Sequence, residues 1–148
     1  MGEGAKRRRG TLVLLTAALT SAVVPAVRHQ VDTHVLLHAL SGALKPAEQK
    51  LLVANRWSVS AIVLWEIAKL AQLRRIAIDL ADPEVVRVFA RIQVWPITRE
   101  IAHASTRLDI TGDPADELIG ATSLVHNVPL LTRDRLLLRS KTIPLAAI

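Results

Sequence analysis

Short strand-like runs alternate with longer helical segments along this chain from about residue 27 onward. That alternation is typical of a parallel sheet packed between helices, so the pattern predicts an α/β fold with a central parallel sheet. Strands are predicted at 27–31, 57–60, 93–97 and 129–132, with an edge strand at 143–148. Helices are predicted at 33–40, 46–55, 61–72, 83–91, 99–107, 114–126 and 133–138.

The first predicted strand has an unusual composition for its place in such a sheet. Its sequence, Val27-Arg28-His29-Gln30-Val31, alternates apolar and polar residues. Central strands of parallel sheets are normally continuous apolar runs, because both of their faces are buried. The pattern therefore predicts a first strand that is poorly formed.

Length and composition narrow the possibilities further. A chain of 148 residues, 51% of them hydrophobic, has the size and character of one globular domain. It contains no cysteine, which excludes a disulfide framework, thiolate metal ligands and cysteine catalysis. The tryptophans Trp57, Trp65 and Trp95 lie in apolar segments and are expected in the core.

The net charge of +6 is concentrated at the N-terminus. Residues 1–28 hold five basic residues and one acid, or +4, whereas the remaining 120 hold 14 basic and 12 acidic residues, or +2. The high pI is therefore weak evidence for nucleic-acid binding by the folded domain.

Residues 1–26 form an N-terminal extension that differs from the predicted domain at 27–148. A basic run at 6–9, an apolar run at 11–24 and Val24-Pro25-Ala26 have the outline of a secretory signal. Three interpretations stay open: a non-essential extension from a start codon placed too early, an extra helix packed on the domain, and true export. The rest of the chain has the character of an intracellular enzyme, so we expect a cytoplasmic protein.

Four carboxylates lie at the end of a strand-like run or in the helix that follows one: Asp32, Glu66, Asp116 and Asp134. In open α/β sheets, ligands bind at that edge. Carboxylates crowded together repel one another unless a hard cation such as Mg²⁺ neutralises them. We therefore expect the four acids to converge in one pocket that holds a metal ion and hydrolyses phosphate esters.

Each acid also has a purely structural interpretation. Asp32 and Asp134 can cap the helices that they precede, and Glu66 can form a solvated pair with Lys69 three residues later. Arg133 and Arg135 flank Asp134 and are candidates to neutralise that acid or to contact phosphate.

Asp113 and Asp116 share one helix start. Asp113 is placed to cap the helix, with Pro114 at its first position. Because Asp113 fills the cap, Asp116 is the better metal ligand, and Asp113 is expected at the rim of the site.

Taken in order, four segments resemble the VapC-type toxins of the PIN-domain ribonucleases. They are Asp-Thr-His-Val-Leu-Leu (32–37), Val-Ser-Ala-Ile-Val-Leu-Trp-Glu-Ile-Ala (59–68), Gly-Asp-Pro-Ala-Asp-Glu-Leu-Ile-Gly-Ala-Thr (112–122) and Pro-Leu-Leu-Thr-Arg-Asp (129–134). The resemblance implies a PIN-like α/β/α sandwich and an endoribonuclease dependent on Mg²⁺ or Mn²⁺. It also implies an RNA substrate, an antitoxin partner, no membrane association and a homodimer. The family's catalytic metal-binding acids map to Asp32, Glu66, Asp116 and Asp134, and Thr132 matches a hydroxyl residue beside the last acid.

Two other interpretations of the sequence compete with this one. A catalytically weak PIN-like domain that only binds RNA or protein is suggested by the first strand, although all four acids are present. A receiver domain of the response-regulator kind also gathers acids at strand ends. It needs adjacent acids after the first strand and a lysine after a late strand, and this chain shows neither.

Overall fold

The computed structural model describes residues 28–148. The predicted extension at 1–26 and the proposed strand start at Val27 lie outside these residues. The strands are β1 (Arg28–Val31), β2 (Arg56–Ser60), β3 (Gln93–Trp95) and β4 (Leu130–Leu131). The helices are α1 (Thr33–Ser41), α2 (Pro46–Ala54), α3 (Ala61–Gln72), α4 (Pro83–Phe89), α5 (Arg99–Ser105), α6 (Pro114–His126) and α7 (Arg135–Arg139).

The four strands form one parallel sheet in the order β3-β2-β1-β4, as the alternating pattern predicts. The predicted fifth strand at 143–148 is reduced to a single bridge between Leu145 and Leu130. Strand β1 thus lies inside the sheet, with β2 on one side and β4 on the other.

The expectation of a poorly formed first strand is wrong, because β1 pairs with a strand on each side and the amide nitrogen of the buried Gln30 side chain is hydrogen-bonded. Gln30 is fully buried, and its Nε2 donates to the Ile119 carbonyl at 2.9 Å and to Ser123 Oγ at 2.6 Å. Ser58 Oγ in β2 donates to the His29 carbonyl at 3.0 Å. A buried polar group is tolerated when it is hydrogen-bonded. These bonds connect β1 to helix α6 and to the neighbouring strand.

Helices cover both faces of the sheet. Gln30 and Ser58 are paired in the β1–β2 register, so they share the face on which α6 packs. Their neighbours Trp57 and Val59 point to the opposite face, since successive side chains of a strand alternate. There Trp57 Nε1 donates to the Leu52 carbonyl of α2 at 2.6 Å. The architecture is the predicted α/β/α sandwich.

The tryptophans do not all lie in the core. Trp57 is buried and Trp95 half-buried, but Trp65 is 56% exposed. Helix α3 buries Val63 and Ile67. Trp65 is two residues from each, about 200° around the helix, so it points away from the sheet. The prediction that Trp65 is a core residue is wrong.

Several predicted elements are shorter in the structure. Helix α4 ends at Phe89 rather than Arg91, α5 ends at Ser105 rather than Arg107, and β4 spans two residues. Within residues 28–148, no helix is long and apolar enough to cross a membrane.

We predict that Gln30→Ala destabilises the protein by about 2–3 kcal/mol, because two buried hydrogen bonds are lost and a cavity is left. Thermal unfolding measures the effect. Gln93→Ala is the matched control: Gln93 lies on the same sheet but is exposed, and its side chain only accepts from Arg28 at 3.1 Å. Equal melting temperatures for the two variants would mean that Gln30 does not secure β1.

Candidate metal site

Asp32 directly follows β1 and caps α1. Its Oδ1 accepts from the Val35 amide at 2.8 Å, and its Oδ2 accepts from the Thr132 hydroxyl. The residue is 3% exposed. Burial raises the pKa of the Asp32 carboxyl, and the bonds from Thr132 and Val35 oppose that rise. Capping and a place in the site are thus compatible at this position.

A hydrogen bond from Thr33, the residue after Asp32, holds Glu66 toward α1. Thr33 Oγ1 donates to Glu66 Oε1 at 2.5 Å. The alternative, a solvated pair with Lys69, is wrong, because Lys69 Nζ donates to Gln72 at 3.0 Å and lies near the Trp65 ring. Burial is the main reason that the pKa of Glu66 is raised, and the charges of nearby aspartates add to the effect.

Asp134 follows β4 and caps α7. Its Oδ1 accepts from the amides of Leu136 and Leu137 at 2.9 and 3.0 Å. Its own amide donates to Thr132 Oγ1 at 3.0 Å. The Thr132 hydroxyl therefore lies between two candidate ligands, because it also donates to Asp32.

Asp113 and Asp116 occupy the start of α6. Asp113 caps the helix through the Ala115 amide at 2.9 Å, as predicted. Asp116 lies in the first turn, half-buried, and is not the residue that caps the helix.

The negative charges of the other predicted ligands all raise the pKa of Asp116. Burial is the largest cause that raises the pKa of Asp116 to about 6, followed by the negative charges of Asp134, Glu66, Asp113 and Asp32. A carboxyl pKa rises when other carboxylates lie close enough to disfavour its ionised form. The four sequence-predicted acids, and Asp113 with them, therefore lie near enough for their charges to act on Asp116.

The donor set suits a hard divalent cation. All four groups are carboxylates, the ligands that Mg²⁺ and Mn²⁺ prefer, and their mutual repulsion is what such a cation relieves. In the described part of the chain, no three Asp, Glu or His side chains are already arranged around one ion position. Each carboxylate oxygen has two lone pairs, so the capping bonds of Asp32 and Asp134 leave acceptor capacity for a metal.

A cavity lies beside this cluster and is not lined by its acids. It has a volume of about 920 Å³ and is lined by α1, the end of α3 and the segment before α4. His34 and His38 are among its lining residues, and none of the four acids is. His34 is close enough for its charge to lower the pKa of both Asp32 and Glu66. The acid cluster thus adjoins a separate groove, and the convergence of the acids in a pocket of their own stays a prediction.

An ion pair beside the site, with Glu48 buried and Arg133 partly exposed, was not predicted from the sequence. Arg133 Nε and Nη2 donate to the two carboxylate oxygens of Glu48 at 2.8 and 2.5 Å, and Nη2 also reaches the Ala43 carbonyl at 3.1 Å. Hydrogen bonding to Arg133 holds the pKa of Glu48 below its usual range. The guanidinium is therefore paired with Glu48, and the expectation that Arg133 neutralises Asp134 is wrong. The sequence indicates only that Glu48 lies three residues after Lys45, at the start of a helix. There the Glu48 carboxylate accepts a hydrogen bond from the Lys45 amide at 2.8 Å.

The fold and the clustered acids are those of a nuclease-like domain of the α/β/α class. Comparison with known proteins shows which family of such domains the chain belongs to. The PIN domain family model matches residues 30–141, and the chain belongs to that family. The predicted fold class is confirmed.

Among curated proteins, the chain is 34% identical over 92 residues to Ribonuclease VapC22 of Mycobacterium tuberculosis, covering 60% of this chain and 71% of that protein. Two solved structures share the fold. One is VapBC2 from Rickettsia felis bound to a DNA fragment from their promoter, with a TM-score of 0.62, 16% identity and coverage of 81% of this chain and 98% of that one. The other is a toxin–antitoxin complex from Klebsiella pneumoniae, with a TM-score of 0.53, 20% identity and coverage of 72% and 86%.

We predict that Asp116→Asn stabilises the metal-free protein at pH 7.5. The folded-state pKa of about 6 lies above the unfolded value, so the repulsion is present above pH 6 and is relieved as the pH falls through 6. The carboxyl is half-exposed, so we discount the full shift to ~1 kcal/mol, which raises the melting temperature by about 2–4 °C.

Melting curves with EDTA at pH 7.5 and pH 4.5 test this, and the gain should shrink at the lower pH. Glu117→Gln is the control, because it removes a charge from the same first helical turn without belonging to the predicted ligand set. A gain of the same size in Glu117→Gln would trace the effect to the helix start rather than to the acid cluster.

Proposed function

We propose that this protein is a metal-dependent endoribonuclease and the toxin of a toxin–antitoxin pair. Asp32, Glu66, Asp116 and Asp134 are its catalytic acids and would bind Mg²⁺ or Mn²⁺. The observation that carries the proposal is the position of the acids: Asp32 and Asp134 directly follow the adjacent parallel strands β1 and β4, or lie within three residues of them, and Thr33 holds Glu66 beside Asp32. The charges of these three acids also raise the pKa of Asp116. A cluster of that kind is expected where a cation completes the site.

Relatives support the class of activity and of partner. Membership of the PIN-domain family supports a nuclease, and the curated relative is itself a ribonuclease. Both structures that share the fold are complexes of a toxin with its antitoxin. We therefore propose an RNA substrate, a cognate antitoxin, a homodimer and a cytoplasmic location, where such a substrate would be met.

The chain's own groups suggest how cleavage is divided among them. A divalent cation held by these acids would lower the pKa of a coordinated water and neutralise charge on the phosphate. Thr132 orients Asp32 and Thr33 orients Glu66, so two of the acids are fixed by hydroxyl donors. An acid not fully engaged by metal would orient the attacking water. No covalent nucleophile is required.

The structure removes the support for the alternative, a catalytically weak domain that only binds RNA or protein. It was suggested by the composition of the first strand. In the structure β1 lies inside the sheet with Gln30 buried and hydrogen-bonded, and Asp32 follows it in a defined cap.

We predict that the protein cleaves RNA in a reaction that stops with EDTA and resumes when Mg²⁺ or Mn²⁺ is added in excess. Asp116→Asn retains the side-chain size but removes a charged ligand, so the rate should fall by about 10²-fold or more. Asp113→Asn is the control, because Asn caps a helix about as well as Asp, and should keep activity. Undiminished cleavage by Asp116→Asn would falsify the ligand assignment, and loss in Asp113→Asn alone would transfer the role to Asp113.

We also predict that residues 1–26 are dispensable for catalysis. The family match begins at residue 30, and all four proposed ligands lie within it. A chain starting near Val27 should melt and cleave RNA like the full chain. If truncation unfolds the domain or abolishes cleavage, the extension is an integral part of it, with Thr11–Leu15 as the first segment to substitute.

A further inference from the structure

We infer that the ion pair between Glu48 and Arg133 is a positioning device for the metal ligands, with Arg133 holding the 132–134 loop on which two of them depend. The inference rests on the proposed function, because it concerns acids assigned there as ligands. Neither residue is one of the four proposed ligands, although Arg133 lies within the 129–134 segment that resembles the family.

The pair has the geometry of a specific clamp. Arg133 uses two nitrogens on the two oxygens of Glu48, at 2.8 and 2.5 Å, and a further contact on the Ala43 carbonyl at 3.1 Å. The Glu48 side chain is 4% exposed. A bidentate Arg–carboxylate pair fixes orientation as well as distance, which an ordinary surface ion pair does not.

The clamp joins two parts of the chain that are distant in sequence. Glu48 lies in the first turn of α2 and also accepts from the Lys45 amide, so it is fixed to its own helix start. Arg133 lies between β4 and α7. The turn between α1 and α2 is thereby tied to the loop that carries the last acid.

That loop sets the position of both Asp32 and Asp134. Thr132 donates to Asp32, and its Oγ1 accepts from the amide of Asp134. A shift of the backbone at Arg133 would move the Thr132 hydroxyl on one side and the Asp134 carboxylate on the other. The groups that orient metal ligands are worth about 10–100-fold in metal affinity when removed.

Two mild substitutions test the clamp. Glu48→Gln keeps the side-chain shape but loses the charge, and Arg133→Lys keeps the charge but loses the fork of parallel donors. Asp109→Asn is the matched control. Asp109 ties a different loop, through Ser140 Oγ at 2.5 Å, the Lys141 amide at 2.6 Å and Thr142 Oγ1 at 2.9 Å, and has no place in the ligand set.

Mn²⁺ binding is measured by calorimetry on the full-length protein, together with amide hydrogen exchange at Asp134, Leu136 and Leu137. We expect both clamp variants to bind Mn²⁺ about tenfold more weakly and to exchange these amides faster. Their RNA cleavage should recover as Mn²⁺ is raised, which a loss of folded protein would not allow. Asp109→Asn should keep its Mn²⁺ affinity within about twofold.

The results distinguish failure of the positioning role from failure of the proposed function. Unchanged Mn²⁺ affinity and amide exchange in both clamp variants, with normal binding by the unsubstituted protein, would overturn the positioning role and leave the proposed function intact. Equal weakening in Asp109→Asn would also overturn it, because any loop tie would then have the same effect. Absence of Mn²⁺ binding by the unsubstituted protein would overturn the proposed function and this inference together.

Discussion

Repulsion among carboxylates crowded at one edge of the sheet is the constraint on which the rest of the site depends. The pKa of Asp116 rises to about 6 because burial and the charges of four neighbouring acids disfavour its ionised form. A fold that keeps such groups together must hold them by other interactions. Here the N-terminal amides of α1 and α7 hold Asp32 and Asp134, and hydroxyl groups hold Asp32 and Glu66.

The same constraint explains why structural and functional interpretations of the acids need not compete. Asp32 caps α1 through one oxygen and meets Thr132 with the other. Capping orients a carboxylate at the carboxyl end of a strand, which is where an α/β sheet binds ligands. A helix cap at that edge therefore positions a candidate ligand.

Local sequence patterns foresaw the parts of the protein that depend on local physics. The caps at Asp32 and Asp113 and the parallel sheet follow from strand ends, helix starts and periodicity. Contacts between distant residues did not follow. Gln30 was misjudged because its partners Ile119 and Ser123 are about ninety positions away in sequence, and the pairing of Arg133 with Glu48 spans 85. Trp65 was misjudged for a different reason, since an apolar helix gives no clear inward stripe.

A crystal of the protein soaked in MnCl₂ tests the central claim most directly, because the anomalous signal of manganese locates the ion without reference to activity. We predict a peak bounded by the carboxylates of Asp32, Glu66, Asp116 and Asp134, at the ligand distances of about 2.1 Å expected for a small octahedral divalent ion. A fully soaked crystal with no peak among these acids, or with its peak elsewhere in the molecule, would contradict their assignment as metal ligands.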